Sequence, residues 1–316
     1  MMTLKKWLFT GTAHCLLAVA AIALCLLTVA CRQRPALNEQ NSAYYWRTEW
    51  RLDSTEHAFL QKYDIKRVYC RYFDVVMRGG KPMPNATISF PSLPPEGLEL
   101  VPTVYITEDC MRAGLVCDGT TAAPAELSTD GRQLATKLVE RIVQMNETND
   151  ISGVREIQID CDYTLNSRHT YYAFLDAVRQ EAKAHGLRLS TTIRLHQLSM
   201  PAPPADYGVL MIYNTGDPRN FEQRNPILDI RDVAPYLRYL ADYPLPLAAA
   251  YPVYYWQRTI HGVSVEHTVS ADEILNVKQA VEKRRPDLSR TILVYHLDKD
   301  NINRYPPETY EAIYHH

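Results

Sequence analysis

The segment Glu156-Ile157-Gln158-Ile159-Asp160-Cys161-Asp162-Tyr163-Thr164 ends an apolar, strand-like run with two carboxylates. Side chains in a strand alternate between faces, so Asp160 and Asp162 share one face while Ile159 and Cys161 take the other. Two like charges on one face repel unless they meet solvent, a cation or a substrate, so the pair marks a candidate site. Same-face neighbours start about 6–7 Å apart at the backbone. Paired acids that cleave sugar linkages stand roughly 5–9.5 Å apart. A divalent cation shared with Asp74 or Glu49 is an alternative use, because hard cations take carboxylate oxygens.

The surrounding pattern indicates what holds these groups. Strand-like runs at 44–50, 67–75, 98–106, 156–162, 188–195, 208–213, 247–254 and 291–297 alternate with helical segments. The clearest helix is 168–185, where Tyr171, Leu175, Val178 and Ala182 recur at three- and four-residue steps. Others are expected at 55–62, 129–146, 230–241, 271–283 and 307–314, and the Gly- and Pro-rich stretch 78–95 reads as irregular. Eight strands alternating with helices predict an α/β (β/α)8 TIM barrel, a single domain over 43–316. A doubly wound open sheet fits less well, because no glycine-rich turn follows the first strand, and no cofactor is expected.

In such a barrel the active rim lies at the C-terminal strand ends. Those ends carry Glu49 and Trp50, Arg71 and Asp74, Glu108, Asp160 and Asp162, Arg194 and His196, Tyr213 and Asn214, Trp256, and Asp298. One reading makes Asp162 the base or substrate-positioning group, with Glu108, Glu49 or Asp74 as proton donor. A second makes the rim a binding surface on which Trp50, Tyr213 and Trp256 stack against a sugar while Arg194 and His196 hydrogen-bond to it, with Asn214 and Asp298 beside them. Each residue also has a plainer use: Arg194 can neutralise Asp160 or Asp162 as a structural ion pair, and His196 can be a hydrogen-bonded rim residue.

The N-terminus sets the compartment. Lys5 and Lys6 precede an apolar stretch over 16–29, and Ala30 precedes Cys31, which reads as an export signal over 1–30. Residues 31–42 then form a polar tether. Seven cysteines are present, and Cys110 and Cys117 bracket a short loop that predicts a disulfide in an oxidising compartment. No C-x-x-C pair or matching His spacing suggests a metal. A formal net charge of −2 and the lack of a basic, aromatic-interleaved face argue against nucleic acid.

Two resemblances sharpen these expectations. Thr28-Val29-Ala30-Cys31 resembles the lipobox of bacterial lipoproteins, which implies that Cys31 carries lipid and anchors the chain to a membrane of the cell envelope. Arg32-Gln33-Arg34 lacks an acidic run after that cysteine, which favours the periplasmic side. Asp160-Cys161-Asp162, with Met211-Ile212-Tyr213-Asn214 at the sixth strand, resembles the chitinase-type glycoside hydrolases of family 18. Those carry D-x-x-D-x-D-x-E at the fourth strand and M-x-Y-[DN] at the sixth. The resemblance implies that Asp160 and Asp162 match the second and third acids and Tyr213 the substrate-orienting tyrosine. It departs at Ile157, where the first Asp falls, and at Thr164, where the acid Glu belongs, so the leaving oxygen lacks its usual donor. The runs 156–162, 192–197, 211–214 and 243–247 are also similar to lipoproteins of Bacteroidetes-type bacteria, and the fourth and fifth strands to DUF3142-type barrels. Together these imply a monomeric, envelope-anchored barrel whose partner is a glycan or peptidoglycan fragment.

Overall fold

Strands buried on both faces read as nearly continuous apolar runs, and Leu247-Ala-Ala-Ala-Tyr251 is of this kind, buried throughout. The computed structural model describes residues 37–112, 115, 127–217, 224–260 and 263–314. The strands are β1 (Gln40–Tyr45), β2 (Arg67–Arg78), β3 (Lys81–Asn85), β4 (Glu99–Ile106), β5 (Glu156–Asp160), β6 (Arg188–Arg194), β7 (Tyr207–Met211), β8 (Leu247–Pro252), β9 (Trp256–Ile260), β10 (Val263–His267) and β11 (Thr291–Tyr295). Parallel pairing runs β1-β2-β4-β5-β6-β7-β8-β11 and returns to β1, which closes an eight-stranded barrel. All eight runs expected from the sequence supply its staves. The helices are α1 (Ser54–Lys62), α2 (Thr129–Thr148), α3 (Arg168–Ala184), α4 (Ile230–Val233), α5 (Leu237–Leu240), α6 (Ala271–Arg284), α7 (Lys299–Ile302) and α8 (Pro307–Tyr314).

Three local expectations are corrected, and one hairpin had no counterpart among them. The first strand begins at Gln40, inside what reads as tether, and ends at Tyr45 rather than at residue 50; Ser42 and Ala43 are buried barrel residues. The stretch after β2 is ordered as β3, antiparallel to the far end of β2. β9 and β10 form a separate antiparallel hairpin after β8. The helix expected over 230–241 is broken into α4, a 3₁₀ turn and α5, with Pro235 inside that turn.

The barrel interior carries a polar ladder rather than the branched apolar layers usual in this fold. Along β5, Glu156, Gln158 and Asp160 point inward by the two-residue period while Ile157 and Ile159 face the helices. Glu156 Oε1 accepts from Ser190 Oγ at 2.7 Å and also from the Tyr207 hydroxyl, which lies 2.5 Å from the Tyr69 hydroxyl. One level up, the Tyr44 hydroxyl donates to Gln158 Oε1 at 2.9 Å. At the top, Thr192 Oγ1 donates to Asp160 Oδ1 at 2.6 Å. Asp160 is thus the uppermost rung of an internal hydrogen-bonded column, and the satisfied rungs make buried polar groups tolerable.

Candidate functional site

β5 and β6 place three charges together at the mouth. Arg194 ends β6, and its Nη2 lies 3.2 Å from Asp160 Oδ1 while its Nε donates to Asp162 Oδ1. One guanidinium therefore bridges both acids. The loop is fixed from behind: the Arg194 backbone N–H donates to Gln197 Oε1 at 2.8 Å, and Gln197 Nε2 donates to the Tyr163 carbonyl at 3.0 Å. Gln197 is fully buried, so this clamp is part of the core.

The two acids differ in surroundings. Asp160 is only 3% exposed, and burial pushes its carboxyl above the ordinary range; Arg194 pulls it back and Asp162 pushes it further up. The Asp162 side chain keeps about half its surface, 48%, open to solvent. Asp162 lines a pocket of about 300 Å³ with Arg194, His196, Tyr213, Asn214 and Tyr236. The Tyr213 hydroxyl is buried with no hydrogen-bond partner among the described residues, and burial holds it well above its ordinary pKa. Its ring stacks on Tyr295, centroids 4.7 Å apart. Asn214 has a left-handed backbone, φ +53°, and its Oδ1 accepts from the Tyr254 hydroxyl at 2.5 Å.

Each of the three proton-donor candidates is held by partners of its own. Glu108 Oε1 accepts from Thr164 Oγ1 at 2.5 Å and from Ser167 Oγ at 2.8 Å, and Arg112 pairs with Oε2 at 2.5 Å. Burial pushes Glu108 up, but these three partners prevail and hold it below the ordinary carboxylate range. Asp74 is gripped through both oxygens by Arg71, with Nε at 2.8 Å from Oδ1. Glu49 pairs with Arg51 at 2.9 Å on the surface.

The other expected rim residues divide between mouth and core. Trp50 does not reach the rim: it is fully buried against Tyr45, centroids 4.6 Å apart, so it offers no stacking face. His196 is exposed beside the pocket. Trp256 is half-buried next to Tyr254. Asp298 caps α7, accepting from the Asp300 N–H at 2.9 Å. Cys110 is a buried free thiol near the Val75 carbonyl, while Cys117 lies outside the described residues, as do Cys31 and the export segment.

The sequence reading overlooked Trp46 and Tyr236. Trp46 follows β1 directly, and placing that strand's end at residue 50 instead of Tyr45 moved attention to the wrong tryptophan. Its ring lies 6.1 Å from Tyr44 and 5.8 Å from Tyr295, centroid to centroid. Tyr295 in turn touches Tyr213 and Tyr254, so an aromatic ridge crosses the mouth.

No family model matches the sequence, and no curated protein is significantly similar to it. Solved structures do share the architecture. A chitinase from Bacteroides thetaiotaomicron superposes with a TM-score of 0.54 at 10% identity, covering 88% of this chain and 94% of that one. A chitinase from Chromobacterium violaceum gives 0.51 at 15% identity over 87% and 98%. The spore cortex-lytic enzyme SleL of Bacillus megaterium gives 0.51 at 12% identity over 83% and 71%. At these identities the likeness is one of fold, and the chain is a closed parallel eight-stranded barrel of the kind found in chitinase-like glycoside hydrolases.

Proposed function

We propose that this protein binds a glycan or peptidoglycan fragment at the C-terminal rim of its barrel without hydrolysing it, held in the cell envelope on its periplasmic side by lipid on Cys31. The observation that carries the reading is the Thr164–Glu108 hydrogen bond. Thr164 stands where the resembled family has its acid, and Glu108, the carboxyl bonded to it, is held below the ordinary carboxylate range by the groups around it. A general acid must hold a proton within reach of the leaving oxygen, and an ionised, triply satisfied carboxylate does not. Asp160, whose carboxyl is raised, is committed to Thr192 and Arg194 below the surface.

The same mouth suits binding. Asp162 and Arg194 present an acceptor and donors, and the part-exposed Tyr236 and Tyr295 offer aromatic surface, the mixture that sugar pockets use. Calorimetric titration of chitin oligomers and soluble peptidoglycan fragments into wild type and Asp162→Asn, with reducing ends counted in parallel, tests this. We expect saturable binding by wild type, weakened about tenfold by the substitution, and no new reducing ends from either. Reducing ends released by wild type and absent with Asp162→Asn overturn the reading. Incorporation of labelled fatty acid, lost in Cys31→Ser, tests the anchor.

A further inference from the structure

A second and larger cavity, about 730 Å³, lies on the other side of the aromatic ridge and is lined by Trp46, Arg47, Glu49, Arg51, Asp53 and Arg71, among others. The ridge joins it to the Asp162 pocket: Trp46 meets Tyr295 at 5.8 Å, and Tyr295 stacks on Tyr213 at 4.7 Å. We propose that this cavity is a subsite for a carboxylate-bearing sugar residue, with Trp46 under the ring and Arg47 and Arg51 holding the carboxylate. The proposal rests on the glycan-binding reading above and names the class of glycan.

The charges around the cavity are not equally available. Asp53 and Glu56 are consumed by the capping box of α1, in which each carboxylate accepts the other residue's backbone N–H at 2.9 Å. Arg71 is taken by Asp74. Arg47 is differently placed. Glu56 and the Arg51 carbonyl fix its Nη2 at 2.7 and 3.2 Å, the Tyr45 ring lies 4.3 Å from its Cζ, and its Nε is buried with no partner among the described residues. Its Nη1 stands 3.9 Å from Asp298, beyond hydrogen-bonding distance. Nε is sealed from solvent, so Nη1, on a side chain 33% exposed, is the donor left for a ligand. Among the described residues Arg51 pairs only with Glu49, and both side chains are more than half exposed, 69% and 53%. A pair so open to water contributes little, so a ligand carboxylate can replace Glu49 at small cost.

The free donor of Arg47 and the exposed guanidinium of Arg51 together match a carboxylate in charge, and an indole face takes the apolar side of a pyranose. A cavity of this size accommodates more than one sugar residue. The lactyl carboxylate of muramic acid and the carboxylate of a uronic acid present the same chemistry.

The test uses the full chain with three probes matched in length: a neutral chitin oligomer, an oligomer alternating N-acetylglucosamine with N-acetylmuramic acid, and a uronic-acid oligomer. We expect wild type to bind at least one acidic probe about tenfold more tightly than the neutral one. In Arg51→Gln the acidic-to-neutral affinity ratio should fall toward one, with an unchanged melting curve showing that the barrel is intact. Equal affinity of wild type for all three probes, or a preference that survives in both Arg51→Gln and Arg47→Gln, overturns the subsite while leaving the glycan reading in place. Failure of every probe to bind removes the glycan reading, and the subsite with it.

Discussion

Thr164 donates its hydroxyl hydrogen to Glu108 across 2.5 Å and thereby ties the loop after β5 to the loop after β4. Ser167 makes a second tie to the same carboxylate oxygen at 2.8 Å. A position expected to supply a reacting proton is instead spent on holding two loops together.

Glu108→Gln should therefore destabilise the protein by about 1–2 kcal/mol at neutral pH, since a charge-assisted acceptor is exchanged for a neutral one. Its folded pKa is depressed, with burial opposing and Thr164, Arg112 and Ser167 prevailing. The stability it contributes is complete above its unfolded pKa, about 4.3, and is lost as pH falls through the lower folded value. Thermal melts of wild type should fall off across that acidic window, and the Gln variant should lose part of that slope.

Arg194 makes the opposite case. Replacing it by Met leaves Asp160 buried without its counter-ion, a loss of about 3–5 kcal/mol at neutral pH. The Asp160 carboxyl is already raised by burial, and without Arg194 it rises further. A group whose folded pKa is raised in this way favours the fold when protonated, so its cost grows as pH rises from the unfolded value, about 3.9, through the folded one. Chemical denaturation of Arg194→Met should show a protein relatively more stable in acid than near neutrality. Adding Asp160→Asn should recover part of the loss, and no recovery would count against the ion-pair assignment.

The two tryptophans near β1 should separate binding from folding. Trp50→Ala empties a fully buried site and should cost about 3–5 kcal/mol. Trp46→Ala removes a half-buried ring at the cavity edge and should leave the fold intact while weakening glycan binding about tenfold. Circular dichroism melts and calorimetry on both variants read the two effects apart.

Cys70 and Cys161 are fully buried, and burial raises both thiols above their ordinary pKa. The thiolate is the reactive form, so a disulfide reagent should label neither position until the protein unfolds. Rapid labelling of either one in the native protein contradicts the packing described for β2 and β5.

The barrel was legible because strands buried on both faces leave continuous apolar runs, as in β8 and β11. The start of β1 was hidden by Gln40-Asn41-Ser42, whose polarity reads as tether although Ser42 is buried in the barrel wall. That single misplacement hid Trp46 and Arg47. Asp160 and Asp162 were visible because strand alternation is local, and Arg194 was legible as a neutraliser of one or the other; that it bridges both, across 32 or more positions, depends on the pairing of β5 with β6. The Thr164–Glu108 bond spans 56 positions across two loops and leaves no local pattern.

The central claim is that a sugar occupies this rim and leaves uncut. Mass spectrometry of a chitin oligomer and of a peptidoglycan oligomer, each held at stoichiometric concentration with wild-type protein for many hours in ¹⁸O-labelled water, addresses it most directly. The expected result is intact oligomers with no ¹⁸O incorporated, although calorimetry on the same samples shows them bound. Shortened products carrying ¹⁸O at the new reducing end, formed by wild type and not by Asp162→Asn, would contradict the account.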